Sequence, residues 1–419
     1  MPQTDVAPFA LGGRVPSAAF APRTVEELAA LVRAAQANND AVVFFGGGTL
    51  QGMGNLPARY DIAIAMHKLG TVIAHEPHDL TIAVGAGMTV AALDRTLAPH
   101  GQFVPLDAPF PERGTVGGLL AAGWAGPRRL TYGRPRDLVI GTSAVLADGT
   151  IATAGGMVVK NVTGYDMSKL YVGSLGTLGA LVRVNFKTLP RPQALRAAIA
   201  PLPERTRERA IKHVAVLTTE PTAALMVDGF EEEIDGHDGD DGRLLLFFEG
   251  SARVIERATR ECRAQLGAAG IPATRLVDRG AAEILQHALN AYVTPRLERS
   301  LTYRSTGDAS ALVERANIFA RLAHEAALRN ETITDLRTGD IIARISAPTR
   351  DDLVTAAVPF DDALRDQLER VALLDAPTHL RGEIDAWGKP PATMAHLREL
   401  KERFDPAHLL APGRLVGRL

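Results

Sequence analysis

Three glycine-bearing segments hold the residues whose spacing is suited to chemistry. The first runs from Phe45 through Gly46-Gly47-Gly48-Thr49-Leu50-Gln51 to Asn55, directly behind the apolar stretch Ala41 to Phe45. Glycines there let the backbone take positive φ and come close to a ligand. A run of free N–H groups then forms a concavity suited to an anion such as a diphosphate. A nucleoside-triphosphate loop requires Gly-Lys-Ser/Thr, and no lysine follows these glycines. A dinucleotide loop of the Rossmann kind opens a helix. Here Gly52 and Gly54 lead to Pro57 and a second apolar strand, a different context.

The second segment, Arg113 to Arg129, reads RGTVGGLLAAGWAGPRR, and its small residues permit a tight wrap around a cofactor. Arg128 and Arg129 are candidates to neutralise phosphate or to pack against a partner. The third, Lys160 to Val184, places Gly173, Gly176 and Gly179 at spacing three before a strand, Ala180 to Val184. One glycine loop is often only a turn. Three in this order argue for a ligand.

Eleven histidines are available as bases or ligands. His75 and His78 have ligand-like spacing, but their place before the strand at Leu80 reads better as turn polarity. His324 and Glu325 share a helix, and His396 and His408 come late. His379, Arg381 and Glu383 cluster in the second half, where a solvated loop is the simpler reading. No pair has the HxxEH or HxH context of a zinc site. The single cysteine, Cys262, excludes both an internal disulfide and a four-thiolate cluster, and it lies on an amphipathic helix as a packed thiol.

Elements of both kinds must position these residues. Thr24-Val25-Glu26-Glu27 is a capping box, followed by Val25, Leu28, Leu31, Val32 and Ala35 on one helical face. The helix ends at Asn38-Asn39-Asp40, and Ala41 to Phe45 is a strand. Leu80 to Val84 is a second strand, Thr89 caps a helix to about Ala98, and Gln102 to Pro105 is extended. Asp148-Gly149 between apolar runs marks a hairpin. Leu189-Pro190-Arg191-Pro192 marks a domain boundary. Beyond it, helices at 251–269 and 310–328 alternate with strands such as Leu244 to Phe248. The acidic, glycine-rich stretch 228–242 reads as an exposed loop.

The chain has 419 residues, 46% of them hydrophobic, and a net charge of −2 from 46 basic and 48 acidic residues. That is enough for two or three folding units without disulfides or metals. The charge balance points away from nucleic acid and from a membrane-surface binder. No stretch approaches the ~18–20 apolar residues of a span. The N-terminal residues lack the pattern of a secretory signal. The cytoplasm is the expected location, with peripheral attachment to the inner membrane only through partners.

The order FGGGT, then GTVGGLLAAGWAGPRR, then MVVKNVTGYDMSKLYVGSLGTLGALVRV, then RFDPAHLLAPGR resembles flavoproteins of the vanillyl-alcohol-oxidase group with a PCMH-type FAD domain. Within it, LAAGWAGPRRLTYGRPRDLVIGT and MVVKNVTGYDMSKLYVGS look most like the FAD-binding, GlcE-type subunits of glycolate oxidase. The likeness covers about residues 20–192 and 403–414. It implies an α+β fold: an N-terminal extension (1–19), an FAD domain (20–192, subdomains about 20–77 and 78–192), a cap with an antiparallel sheet (193–400), and a tail (401–419) returning to the FAD domain. Carried onto this chain, Gly46, Gly47, Gly48, Thr49, Leu50 and Gln51 would line the diphosphate. Thr115, Gly118, Ala122 and Gly123 would flank the flavin and ribityl chain, and Gly179 and Val182 the adenine side or ring edge.

Some members tether FAD through a histidine in the first loop or a cysteine in the second. Thr49 stands in place of the histidine and the second loop has no cysteine, so non-covalent FAD is expected. Catalytic 2-hydroxy-acid dehydrogenases of the group read GSEGTLG and carry paired histidines and a glutamate in the cap. This chain has Leu175 in place of the acid, and no such histidine cluster is evident. The resemblance therefore implies an FAD subunit of a glycolate-oxidising complex, with a sister FAD-linked catalytic subunit and an iron–sulfur subunit. A self-sufficient FAD-dependent 2-hydroxy-acid dehydrogenase and a non-catalytic assembly subunit are the alternatives.

Overall fold

The computed structural model describes residues 2–158, 166–230, 242–271, 274–293 and 298–419. They divide into two compact units. One comprises Met1–Gly126, Gly133–Pro190 and Arg381–Leu419; the other Pro127–Tyr132 and Arg191–Leu380.

In the first unit, the capped helix is Val25–Asn38. Thr24 Oγ1 accepts the Glu27 N–H at 3.2 Å, and Asn39 closes the helix in the left-handed region at φ 58°. The Glu27 carboxylate reaches back to the Arg23 N–H, one residue before the position a capping box would give. Leu28, Ala29, Val32 and Ala35 bury one face of the helix against Val42, Ile64 and Val182. The strands Ala18–Phe20, Ile62–Ala65 and Val42–Phe45 form a parallel sheet with Ile62–Ala65 in the middle. Leu410 adds a parallel bridge to Val42 on its free edge.

The second sheet of this unit is antiparallel, in the order Val72–Glu76, Thr81–Gly85, Ala180–Lys187, Val139–Val145, Ile151–Gly155. The Asp148-Gly149 hairpin joins the last two: Gly149 has φ +76°, and the Asp148 carboxylate accepts the Thr150 N–H at 2.8 Å. That hydrogen bond holds the Asp148 carboxyl below its usual range. Val72–Glu76 pairs with Thr81–Gly85, so the second sheet begins before residue 78. Pro77 to Leu80 is a hairpin turn, whose pairing partner cannot be seen from a strand signal alone.

The second unit is one eight-stranded antiparallel sheet. Its order is Arg275–Val277, Ala194–Leu202, Gly242–Gly250, Ala223–Asp228, Arg329–Asp335, Ile341–Ser346, Ser300–Ser305, Val371–Asp375. Leu244, Leu246 and Phe248 point to one face and pack with the helix Ala252–Ala268; Leu245 and Phe247 point to the other and pack with Arg279–Ala291. Burial on both faces explains why this strand reads as an unbroken apolar run. Cys262 is buried in the first of these layers. Most of the acidic stretch 228–242 lies outside the described residues.

The tail's return to the first unit starts at Arg381, twenty residues before position 401. Its anchors are the Arg381 guanidinium on the Gly52 carbonyl at 2.8 Å, the Asn55 amide on Asp385 at 3.0 Å, and the Trp387 indole N–H on the Arg414 carbonyl at 2.9 Å. Among the described residues, no helix is long and apolar enough to cross a membrane.

Candidate functional site

The first unit contains a cleft with about 730 Å³ of empty space, partly open to solvent. The three glycine segments converge on it. Gly46, Gly47, Gly48, Thr49, Leu50 and Gln51 form one wall; Thr115, Gly117, Gly118, Ala121 and Ala122 another; Leu175, Gly176, Gly179, Ala180 and Leu181 a third.

Each glycine of the first loop has its own reason. A Cβ on Gly46 would collide with Thr115 Oγ1, and one on Gly47 with the Arg113 carbonyl. These two let the loop press against the second segment. Gly48 differs: it has φ +72°, and a Cβ there would meet no atom within 4 Å, because it points into open space. Gln51 closes the loop by donating from Nε2 to the Phe44 carbonyl at 3.0 Å.

Thr115 caps the helix Val116–Ala122, its Oγ1 accepting the Gly118 N–H at 3.2 Å. The Val116 and Gly117 amides bond to the Met88 and Ala86 carbonyls, which ties the helix start to the antiparallel sheet. Gly123 ends the helix at φ +62°. It lies outside the cleft wall: a Cβ on it would stand 3.0 Å from Gly173 Cα, so its smallness serves a backbone crossing. The amides of Gly173 and Leu175 bond to the Leu120 and Ala121 carbonyls at 2.9 and 2.8 Å. The second and third segments thus interlock. Val182 is also outside the wall, buried in the core with its carbonyl accepting the Ala86 N–H.

Ten of the twelve residues singled out from sequence line the cleft: Gly46, Gly47, Gly48, Thr49, Leu50, Gln51, Thr115, Gly118, Ala122 and Gly179. Six more lining residues fall within the three segments, and outside them Phe44, Met66, Ala86 and Arg414 were missed. Arg414 ends the LAPGR run; the resemblance implied that the tail folds back, but no local pattern announces that this side chain reaches the cleft. Its Nη2 donates to the carbonyls of Gln51 at 3.0 Å and Met53 at 2.6 Å. Burial, with Arg381 nearby, pulls its pKa down to about 10, so it stays charged at neutral pH.

Arg128 and Arg129 are not at the cleft. Arg128 pairs with Glu249 at 3.2 Å, and Arg129 with Asp340 at 2.8 Å and Asp335 at 3.6 Å, all within the second unit. Carboxylates of that sheet already neutralise them. Lys160 to Tyr165 lie outside the described residues, so that half of the third segment is not placed. His75 is not in a turn: it lies in the strand Val72–Glu76, paired with Ile82, where it packs edge-on against His100 and meets the Gln102 amide oxygen at 3.3 Å. His379 belongs to the second unit, whereas Arg381 and the exposed Glu383 belong to the first. No group of three or more metal-ligating side chains occurs among the described residues.

A neutral, glycine-lined cradle with one guanidinium fits a ligand with an extended body and a compact anionic group. Residues 16–155 match the family described as FAD binding domain. The chain is 37% identical over 151 residues to glycolate oxidase subunit GlcE of Escherichia coli (strain K12), covering 36% of this chain and 42% of that protein. It is 34% identical over 182 residues to a D-lactate dehydrogenase of Archaeoglobus fulgidus, covering 43% and 41%. The chain's match thus spans about two-fifths of these curated relatives. A crystal structure of p-cresol methylhydroxylase with substrate bound superposes with a TM-score of 0.73 at 16% identity, over 96% of this chain and 88% of that one. That likeness concerns the fold, and it extends over both units.

Proposed function

From a chain whose residues 16–155 form an FAD-binding domain, we propose a flavoprotein subunit of a glycolate-oxidising complex. In this reading FAD is held without a covalent bond, and the complex converts a 2-hydroxy acid to a 2-oxo acid. A sister FAD-linked subunit carries the substrate chemistry, and an iron–sulfur subunit takes the electrons onward. When bound, the flavin is the group that accepts hydride or electrons. The residues of this chain have other work. The loop Gly46 to Gln51 offers backbone N–H groups to the diphosphate. Thr115 and Gly118 keep the second wall close to the first. Leu175 and Gly176 exclude water from the third side.

The observation that carries the reading is Leu175. It lines the cleft in a left-handed conformation at φ +51°. The resemblance implies that the catalytic 2-hydroxy-acid dehydrogenases of the group usually carry a glutamate there. A leucine can neither accept the hydroxyl proton nor orient a base. The likeness to a D-lactate dehydrogenase supports a second reading, in which this chain oxidises a 2-hydroxy acid alone. The visible spectrum of the purified chain, before and after anaerobic addition of glycolate or D-lactate, separates the two. A flavin band that stays oxidised until the partner subunits are added is expected. Bleaching of the isolated chain's flavin would overturn the subunit reading in favour of the second.

A further inference from the structure

We propose that Arg414 supplies the counter-charge for the diphosphate of FAD, through Nε–H and Nη1–H groups that no atom of the described residues accepts. The proposal rests on reading the cleft as the FAD site. Among the described residues, Arg414 is the only ionisable side chain in the cleft wall; the rest are glycines, alanines, apolar residues, Thr49, Thr115 and Gln51. A ligand with two negative phosphates entering that wall meets one formal positive charge.

Arg414 is also held for this task. Only 2% of it is exposed. Its Nη2 is fixed by the Gln51 and Met53 carbonyls, at the far end of the glycine loop. Its own carbonyl is held by the Trp387 indole. The guanidinium plane therefore cannot swing away. Nε and Nη1 remain buried without an acceptor among the described residues. Leaving charged donors buried and unmet is costly, and no carboxylate among the described residues offsets the charge. Arg381, whose charge is felt at Arg414, has the same sign. An anion is what this arrangement lacks. The oxidised flavin ring is neutral, so the permanent anion of FAD is its diphosphate. The same two carbonyl contacts place the guanidinium beside the loop already suited to phosphate.

The test compares FAD with riboflavin, which has the ring but no phosphate, on refolded or dialysed apoprotein. Arg414→Gln keeps amide donors for the two carbonyls and removes the charge. Affinity for FAD should fall about tenfold or more while affinity for riboflavin changes less than about twofold. Equal losses for both ligands, or no loss of FAD affinity, would overturn the proposal. Equal loss would make Arg414 a structural tie or a partner of the ring. Should Arg414→Gln fail to fold, inorganic pyrophosphate is titrated into wild-type apoprotein. Competition with FAD, but not with riboflavin, is expected, and absence of competition with FAD overturns the proposal. A wild-type chain that binds no FAD at all would refute the cleft assignment instead, which keeps the two failures distinct.

Discussion

At the residue scale, neighbouring glycines have different functions. Gly46 and Gly47 are required by protein atoms, Thr115 Oγ1 and the Arg113 carbonyl, whereas Gly48 faces open cleft. Gly48→Val should therefore abolish flavin retention, read as acid-released flavin per chain. Valine at positive φ adds backbone strain of about 1–2 kcal/mol, so a control is needed. Gly101 has φ +62° and equally open surroundings, but it is an exposed turn away from the cleft. Gly101→Val should carry similar strain and keep its flavin. Equal loss in both variants would show that strain, not cleft space, is responsible. Cys262 illustrates burial without function. Its thiol is pushed up to about 12 by burial among Ile255, Ala258 and Leu266. The folded chain keeps a proton that the unfolded chain releases from about pH 9. Stability should thus fall as pH rises between about 9 and 12, and more steeply than in Cys262→Ala. Parallel urea-unfolding curves for the two proteins across that window would contradict this.

At the element scale, the C-terminal helix Met394–Phe404 holds the third glycine turn in place. Lys401 and Asp405, both buried, pair at 2.6 Å. Lys401 Nζ also donates to the carbonyls of Thr177 and Leu410, and Asp405 accepts the Leu409 and Leu410 amides. One ion pair thereby joins the tail, the turn 173–179 and the edge of the parallel sheet. Burial pulls the Lys401 ammonium below its usual range, and Asp405 opposes that shift. Removing one partner leaves the other charge buried alone, at about 3–5 kcal/mol. Lys401→Met should lose about that much in urea unfolding and weaken flavin retention through the turn. An unchanged unfolding midpoint would mean the pair is not a structural tie.

At the scale of the whole molecule, the unit that contains the cleft is discontinuous in sequence. Its three pieces are separated by a six-residue excursion, Pro127–Tyr132, and by the eight-stranded unit, Arg191–Leu380. The excursion is bound into the second unit by Arg128, Arg129 and Tyr132 on Glu249, Asp335 and Asp340. Two residues that looked available for phosphate are therefore neutralised elsewhere. Among the described residues, the only charge left in the cleft wall comes from the far end of the chain.

Local chemistry was legible in the sequence. Caps at Thr24 and Thr89, the Asp148-Gly149 hairpin and the glycine loops are short-range features, because each depends on neighbours within a few residues. From them, with the motif order, followed the α+β fold, the antiparallel sheet of the second unit and ten residues of the cleft wall out of twelve singled out. Tertiary structure decided the rest. Gly123 and Val182 turned out to serve a backbone crossing and the core, Arg128 and Arg129 to belong to the second unit and face its carboxylates, and Arg414 to complete the cleft. Each of these depends on which distant segment arrives beside the residue, 121 positions away for Arg128 and Glu249 and 363 for Arg414 and Gln51. Residue type and spacing determine what a side chain can do; only the packed chain determines what it meets.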